Sequence, residues 1–237
     1  MTALVLLPGM DGTGDLFAAF ISAMKDEVRP VIIGYPENQA LGYEDLEEYV
    51  RDRLPINEPF ILLGESFSGP IAISIASSAP AGLIGLILCC TFASNPLPLL
   101  KPIKRLINFL PISSRLLMFI APFLLGEFSS RSLRRNLEQT LDKVSSRTLR
   151  RRMQEVFDID VSNKLGEIQI PILYIQAEDD RIVPVSALKK ICEYAKKLKI
   201  VKLRAPHLLL QTVPLEAATA VKIFIQEART WGVAGCL

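Results

Sequence analysis

Six short apolar runs narrow the fold of this sequence more than any other feature: residues 3–7, 30–34, 60–63, 83–90, 170–176 and 200–203. Each is apolar almost throughout rather than alternating, the pattern of a strand covered on both faces, as strands of a parallel sheet are. Between the runs lie segments with apolar residues at helical spacing, residues 16–24, 43–54, 70–78, 187–198 and 215–228. Strand and helix alternate, which predicts an α/β fold: a mostly parallel sheet of about six strands, flanked by helices and joined by right-handed crossovers.

The alternation fails over residues 94–166, where only helical patterns appear, broken by Pro96, Pro98, Pro102, Pro111 and Pro122. A chain of 237 residues, half of them hydrophobic, suits one α/β domain with an insertion. The expectation is a core of residues 1–93 and 167–237, with a helical cap of residues 94–166. The cap leaves after the fourth apolar run and returns before the fifth, so it lies over the carboxyl ends of the strands, where open α/β sheets bind ligands. Residues 94–165 carry a net +7 and the remainder −5. A solvated basic face accounts for this; weak contact of the cap with anionic lipid or an acyl carrier is the functional alternative. Nothing in the charge pattern points to nucleic acid.

Cys89, Cys90, Cys192 and Cys236 have no metal-ligand spacing, and the adjacent pair falls inside an apolar run, so a small core role is expected for it. Cysteine usage and a start without a basic signal region lead to the expectation of a reduced, cytoplasmic protein. The uncharged stretch 68–100 is divided by Ser77, Ser78, Pro80 and Gly82, and neither piece is long enough to span a bilayer.

Chemistry concentrates after three of the apolar runs. Gly64-Glu65-Ser66-Phe67-Ser68-Gly69 sets a serine between a strand and a helix, with small residues two before and two after it. A nucleophile elbow needs them, because the turn is so sharp that strand and helix nearly touch. A serine capping an ordinary helix would read the same in isolation. After the first run, Pro8-Gly9-Met10-Asp11-Gly12-Thr13-Gly14 is a glycine-rich loop without the Gly-Lys-Ser/Thr ending of a phosphate loop. It reads better as an oxyanion loop, with the N–H groups of Met10 and Phe67 as donors. The only histidine of the chain, His207, follows the last run, and Glu178, Asp179 and Asp180 follow the run before it. If serine is activated by histidine, His207 is the base.

These stations, in the order serine, acid, histidine, resemble the α/β-hydrolase superfamily over essentially the whole chain. The family commonly carries an aspartate followed by two residues and Val-Pro, which Asp180-Arg181-Ile182-Val183-Pro184 matches, and the segment from His207 to Pro214-Leu215-Glu216 is similar to the family's histidine loop. The resemblance implies that Ser66 attacks, His207 takes and returns the proton, and Asp180 orients the imidazole. Asp179 is the second choice for the acid, with Asp158 and Asp160 further off. Ser68 in place of the more common glycine is a minor departure, since serine is still small; the departure that matters in the loop is Pro8-Gly9 in place of the usual His-Gly. The resemblance also implies that the chain begins at the family's third strand, leaving six strands.

A serine nucleophile separates the chain from family members that use aspartate. Leucine, isoleucine and phenylalanine are abundant in the cap and suggest an acyl pocket, to which Phe119 and Phe123 are assigned. The expected substrate is a small carboxylic ester with an apolar acyl group, cleaved without metal or organic cofactor. Acyl transfer, thioester hydrolysis and a non-catalytic ligand-binding homologue are the alternatives.

Overall fold

The computed structural model describes residues 1–107 and 112–234, so Pro111 and Cys236 lie outside it. Six strands, β1 (Ala3–Leu7), β2 (Arg29–Ile32), β3 (Phe60–Glu65), β4 (Leu83–Cys89), β5 (Ile172–Ala177) and β6 (Leu198–Leu203), form one sheet of order β2-β1-β3-β4-β5-β6. Every neighbouring pair is parallel. The strands fall where the apolar runs predict, within three residues at either end. The fifth starts at Ile172 rather than at 170 because Pro171 has no N–H to give to a ladder.

Helices follow in chain order: α1 (Ala18–Met24), α2 (Tyr43–Arg51), α3 (Gly69–Ser77), α4 (Lys104–Ile107), α5 (Ser114–Leu117), α6 (Ala121–Leu125), α7 (Arg131–Asp142), α8 (Ser146–Val156), α9 (Val185–Tyr194), α10 (Leu209–Thr212) and α11 (Pro214–Ala234). Side chains alternate across each strand. Val5, Leu62, Leu88 and Tyr174 meet α2, α3 and α9 through Leu46, Ile71 and Ile191. Leu6, Leu63, Ile87 and Ile175 meet α1 and α11 through Phe20 and Phe224. Both faces are covered, which is why the four inner strands read as continuous apolar runs. Cys89 and Cys90 are buried in the second of these cores, and Cys192 is exposed. Among the described residues no helix is long and apolar enough to cross a membrane.

Helices α4 to α8 form a layer between β4 and β5. The chain leaves and returns side by side: Ser94 bridges Asp160, the Asn95 N–H donates to the Ile159 carbonyl at 2.9 Å, and the Val161 N–H donates to the Ala93 carbonyl at 2.8 Å. The return therefore comes about six residues before the boundary expected at 166. The helical turn Ser162–Glu167 belongs with the main domain, since Leu165 and Ile168 are buried in the same core as α3 and α9. Without a strand there, the sequence pattern could not separate that turn from the helices before it. The layer has a small core of its own, Leu117, Ala121, Leu137, Leu141 and Leu149, with Leu16 and Leu208 of the main domain packed against it.

Candidate active site

Ser66 sits at the junction of β3 and the turn into α3, with a φ of 49°, a conformation that a non-glycine residue adopts at a cost. The approach of strand and helix explains the neighbouring glycines. A Cβ on Gly64 would lie 2.8 Å from both the Ala72 Cβ and the Ser68 carbonyl oxygen, and one on Gly69 would lie 1.9 Å from Thr91 Oγ1. The Thr91 hydroxyl donates to the carbonyl of Ser66. Ser68, read from sequence as a tolerated substitute for glycine, has a task. Its buried hydroxyl donates to the Pro8 carbonyl and accepts from the Tyr35 hydroxyl at 2.5 Å, tying the elbow to the start of the glycine-rich loop.

His207, 3% exposed, follows β6. Its Nε2 lies 2.8 Å from Ser66 Oγ and its Nδ1 lies 2.8 Å from Asp180 Oδ2. The other oxygen of Asp180 accepts the N–H groups of Ile182 at 2.8 Å and Val183 at 2.9 Å, so the turn leading into Pro184 holds the carboxylate. The structure thus brings Ser66, His207 and Asp180 together from the ends of three strands. Asp179 is exposed, and its N–H donates to the Ala205 carbonyl at 3.0 Å. Asp158 pairs with Lys101 and Lys104, while Asp160 accepts the Ser162 N–H at 3.0 Å where the helical layer returns.

The loop after β1 lies against this group: a Cβ on Gly9 would be 3.9 Å from that of Ser66. The Gly12 N–H donates to the Gly9 carbonyl at 3.0 Å, and the Asp11 carboxylate accepts the N–H and hydroxyl of Thr13, both at 2.9 Å. Met10 shares a cavity with Ser66 and His207. Phe67 stacks its ring on Tyr43 at 4.6 Å in the core, leaving its backbone beside the serine.

Two groups near the site were not singled out from sequence. Glu65 is buried and lines the cavity; Gln211 Nε2 donates to it at 3.0 Å, and burial pushes its carboxyl up to about 7. Arg152 of α8, 1% exposed, donates from Nη1 to the Met10 and Asp11 carbonyls at 3.0 and 2.7 Å and from Nη2 to the Pro36 carbonyl at 3.1 Å. The run Arg150-Arg151-Arg152 suggests a solvated face, yet Arg152 stands four residues after buried Thr148, on the inward side of its helix.

The cavity, about 130 Å³ in volume, has Ser66 and His207 at its floor and Leu16, Leu117, Ile120, Leu124, Leu137, Leu141, Leu149, Ile182 and Leu208 among its walls. Phe119 and Phe123 are not among them. They are 78% and 48% exposed, and Leu117, Ile120 and Leu124 take the lining places expected of them. Helical spacing turns positions 117, 120 and 124 to one side and 119 and 123 to the other, which composition alone could not tell.

A parallel sheet covered on both sides, with a serine on a strained strand-to-helix turn and acid and histidine after later strands, defines an α/β-hydrolase. The family model described as "Serine aminopeptidase, S33" matches residues 33–207, more than half of the chain. The chain belongs to this α/β-hydrolase family, and its activity is hydrolytic. No curated protein matches it in sequence. Among solved structures it is similar to a hydrolase from Pseudomonas aeruginosa PA01, 20% identical with a TM-score of 0.81 over 94% of this chain and 89% of that one. The enol-lactonase from Burkholderia xenovorans LB400 is 15% identical with a TM-score of 0.80, covering 97% and 91%. A thermophilic esterase from Thermogutta terrifontis is 18% identical with a TM-score of 0.80, covering 96% and 90%. At these identities the likeness extends to the fold.

Proposed function

We propose that the protein is a serine esterase that cleaves small carboxylic esters with an apolar acyl group. The observation that carries this is the unbroken chain from Ser66 Oγ through His207 to Asp180, two contacts of 2.8 Å each, at the floor of a cavity with mostly leucine walls. His207 Nε2 takes the Ser66 proton as Oγ attacks the ester carbonyl, and Asp180 holds the imidazole in the tautomer that leaves Nε2 free to accept. The N–H groups of Met10 and Phe67 receive the oxyanion. The imidazolium returns its proton to the departing alkoxide, and water then repeats the sequence on the acyl-serine, releasing the acid and free Ser66.

A cavity of about 130 Å³ is slightly smaller than one that admits a benzene ring, which suits a short acyl chain. An esterase and an enol-lactonase stand among the similar folds, in keeping with this reading. Thioester hydrolysis and acyl transfer use the same acyl-serine. Purified protein is offered p-nitrophenyl butyrate, butyryl-CoA, and an aminoacyl p-nitroanilide to represent the aminopeptidases of the family description. Preferential consumption of the ester, with no ester formed when an alcohol is added, supports the proposal. Faster turnover of the thioester or the anilide overturns the substrate class while leaving the serine mechanism in place.

A further inference from the structure

The glycine-rich loop poses a problem that the three catalytic side chains do not solve. An oxyanion hole works because its donors are held in place before the charge develops. Three glycines within residues 9–14 leave the backbone free to adopt other conformations, and Gly12 and Gly14 sit at φ values of 74° and 82°. The Gly12 N–H bond to the Gly9 carbonyl closes a turn that includes the peptide plane of the Met10 N–H; what seats that turn against Ser66 has to come from outside it.

We infer that Arg152, carried by α8 of the helical layer, is a positioning residue for the oxyanion loop, so that the layer over the site supplies a working part of the catalytic centre as well as its roof. The inference rests on the reading of Ser66 as nucleophile and Met10 as oxyanion donor. Its geometric basis is the guanidinium fork, which holds the carbonyls of Met10 and Asp11 and anchors on that of Pro36. Holding two successive carbonyls fixes two successive peptide planes, and the Met10 N–H belongs to the plane just before them. The fit is close on both sides: a Cβ on Gly12 would lie 2.4 Å from Arg152 Nη1, so the absence of a side chain there makes room for the guanidinium. The Tyr35 ring lies 5.5 Å from the guanidinium carbon, and the Tyr35 hydroxyl bonds Ser68, which donates to Pro8. The loop is therefore held at Pro8 from the sheet side and at Met10 and Asp11 from the helical layer.

A purely structural role, stapling the two layers, is the competing explanation. It accounts poorly for a buried charge, since taking a guanidinium out of water is expensive and a well-packed apolar side chain would join the layers at least as well. Arginine is suited to the task because its planar fork holds several acceptors at fixed angles.

The test measures the rate at which a fluorophosphonate labels Ser66, which needs no knowledge of the natural ester, together with kcat and KM on p-nitrophenyl butyrate. For Arg152→Met, labelling and kcat should both fall by on the order of 10- to 100-fold with KM little changed, the scale of a small misplacement of a catalytic group. Arg152→Lys should fall between. Guanidinium ion at a concentration that leaves the melting temperature unchanged should restore part of the rate in Arg152→Ala and none in the wild type. A structural staple predicts instead losses that follow the melting temperature and no rescue. If Arg152→Met fails to fold, Arg152→Lys carries the same comparison with the charge retained. A folded variant that labels and turns over within about threefold of wild type overturns the assignment of Arg152 and leaves Ser66 standing. Wild-type protein that is never labelled at Ser66 overturns the nucleophile itself, and this inference with it.

Discussion

Asp180 gives its two carboxylate oxygens unlike tasks: Oδ2 lies 2.8 Å from His207 Nδ1, while Oδ1 accepts two backbone N–H groups from the following turn. One oxygen orients the imidazole and the other is held by its own loop. Asp180→Asn should therefore lower kcat by several orders of magnitude, because an amide presented to Nδ1 favours the wrong tautomer. Asp179→Asn, at an exposed neighbour, should change kcat little. Steady-state kinetics of the two variants side by side decide between the carboxylates; a reversed order would move the acid to Asp179.

Ser66→Ala and His207→Ala should each remove nearly all ester hydrolysis while the melting temperature stays close to that of the parent. The double variant should be little worse than either single one, since the members of a triad act as a unit. Activity of Ser66→Ala within about tenfold of the parent would remove the serine mechanism.

Glu65 makes stability depend on pH. Below about 4.5 both the folded and the unfolded chain hold its proton; from there up to about 7 the unfolded chain releases it while the folded chain keeps it. Stability therefore falls as pH rises across that window. Glu65→Gln keeps an acceptor for Gln211 and cannot titrate. Its stability relative to the parent should improve by on the order of 2 to 3 kcal/mol between about pH 5 and about pH 8, read by urea denaturation. A difference that stays flat over this range would mean that the carboxyl is not perturbed.

Ser68→Gly restores the residue most common in the family at this position and should nonetheless destabilise the protein, by about 1 to 3 kcal/mol, by leaving the buried Tyr35 hydroxyl and the Pro8 carbonyl without their partner. Denaturant unfolding of this variant, compared with Tyr35→Phe and the double variant, measures how far the two groups act together.

Leu124 lines the cavity whereas Phe119 faces solvent. In a series of p-nitrophenyl esters from acetate to octanoate, kcat/KM should rise roughly threefold to fourfold per methylene until the cavity is full, then decline. Leu124→Ala should move the optimum to a longer chain, and Phe119→Ala should leave it where it is. An optimum that fails to move in Leu124→Ala, in protein that melts normally, would remove the acyl chain from this cavity.

The sheet, and the three side chains that the structure gathers after its strands, were legible because each left a local mark. Strands buried on both faces are continuous apolar runs, and Ser66, Asp180 and His207 each come within four residues of the end of such a run. What stayed hidden depends on direction. Phe119 and Leu117 are two residues apart and equally apolar, and only the orientation of their helix decides which of them faces the cavity. Arg152 looks like the exposed Arg151 beside it until α8 is laid on the loop. Ser68 differs from glycine by a hydroxyl whose partners, Pro8 and Tyr35, lie 60 and 33 residues away in the chain.

The bonding of Ala93 to Val161 and of Asn95 to Ile159 brings the two ends of the helical layer together, so the sheet meets the whole excursion as if it were one hairpin loop. Lengthening or shortening such a loop costs little, about 0.6 kcal/mol for each doubling, and does not disturb the register of β4 on β5. The walls of the cavity are thus open to divergence between related enzymes while the sheet stays constant. Arg152 sets a limit on that freedom: a new roof grafted at Ser94 and Asp160 would need its own means of holding Met10 and Asp11, and a graft without one would be expected to bind an acyl chain and turn it over poorly.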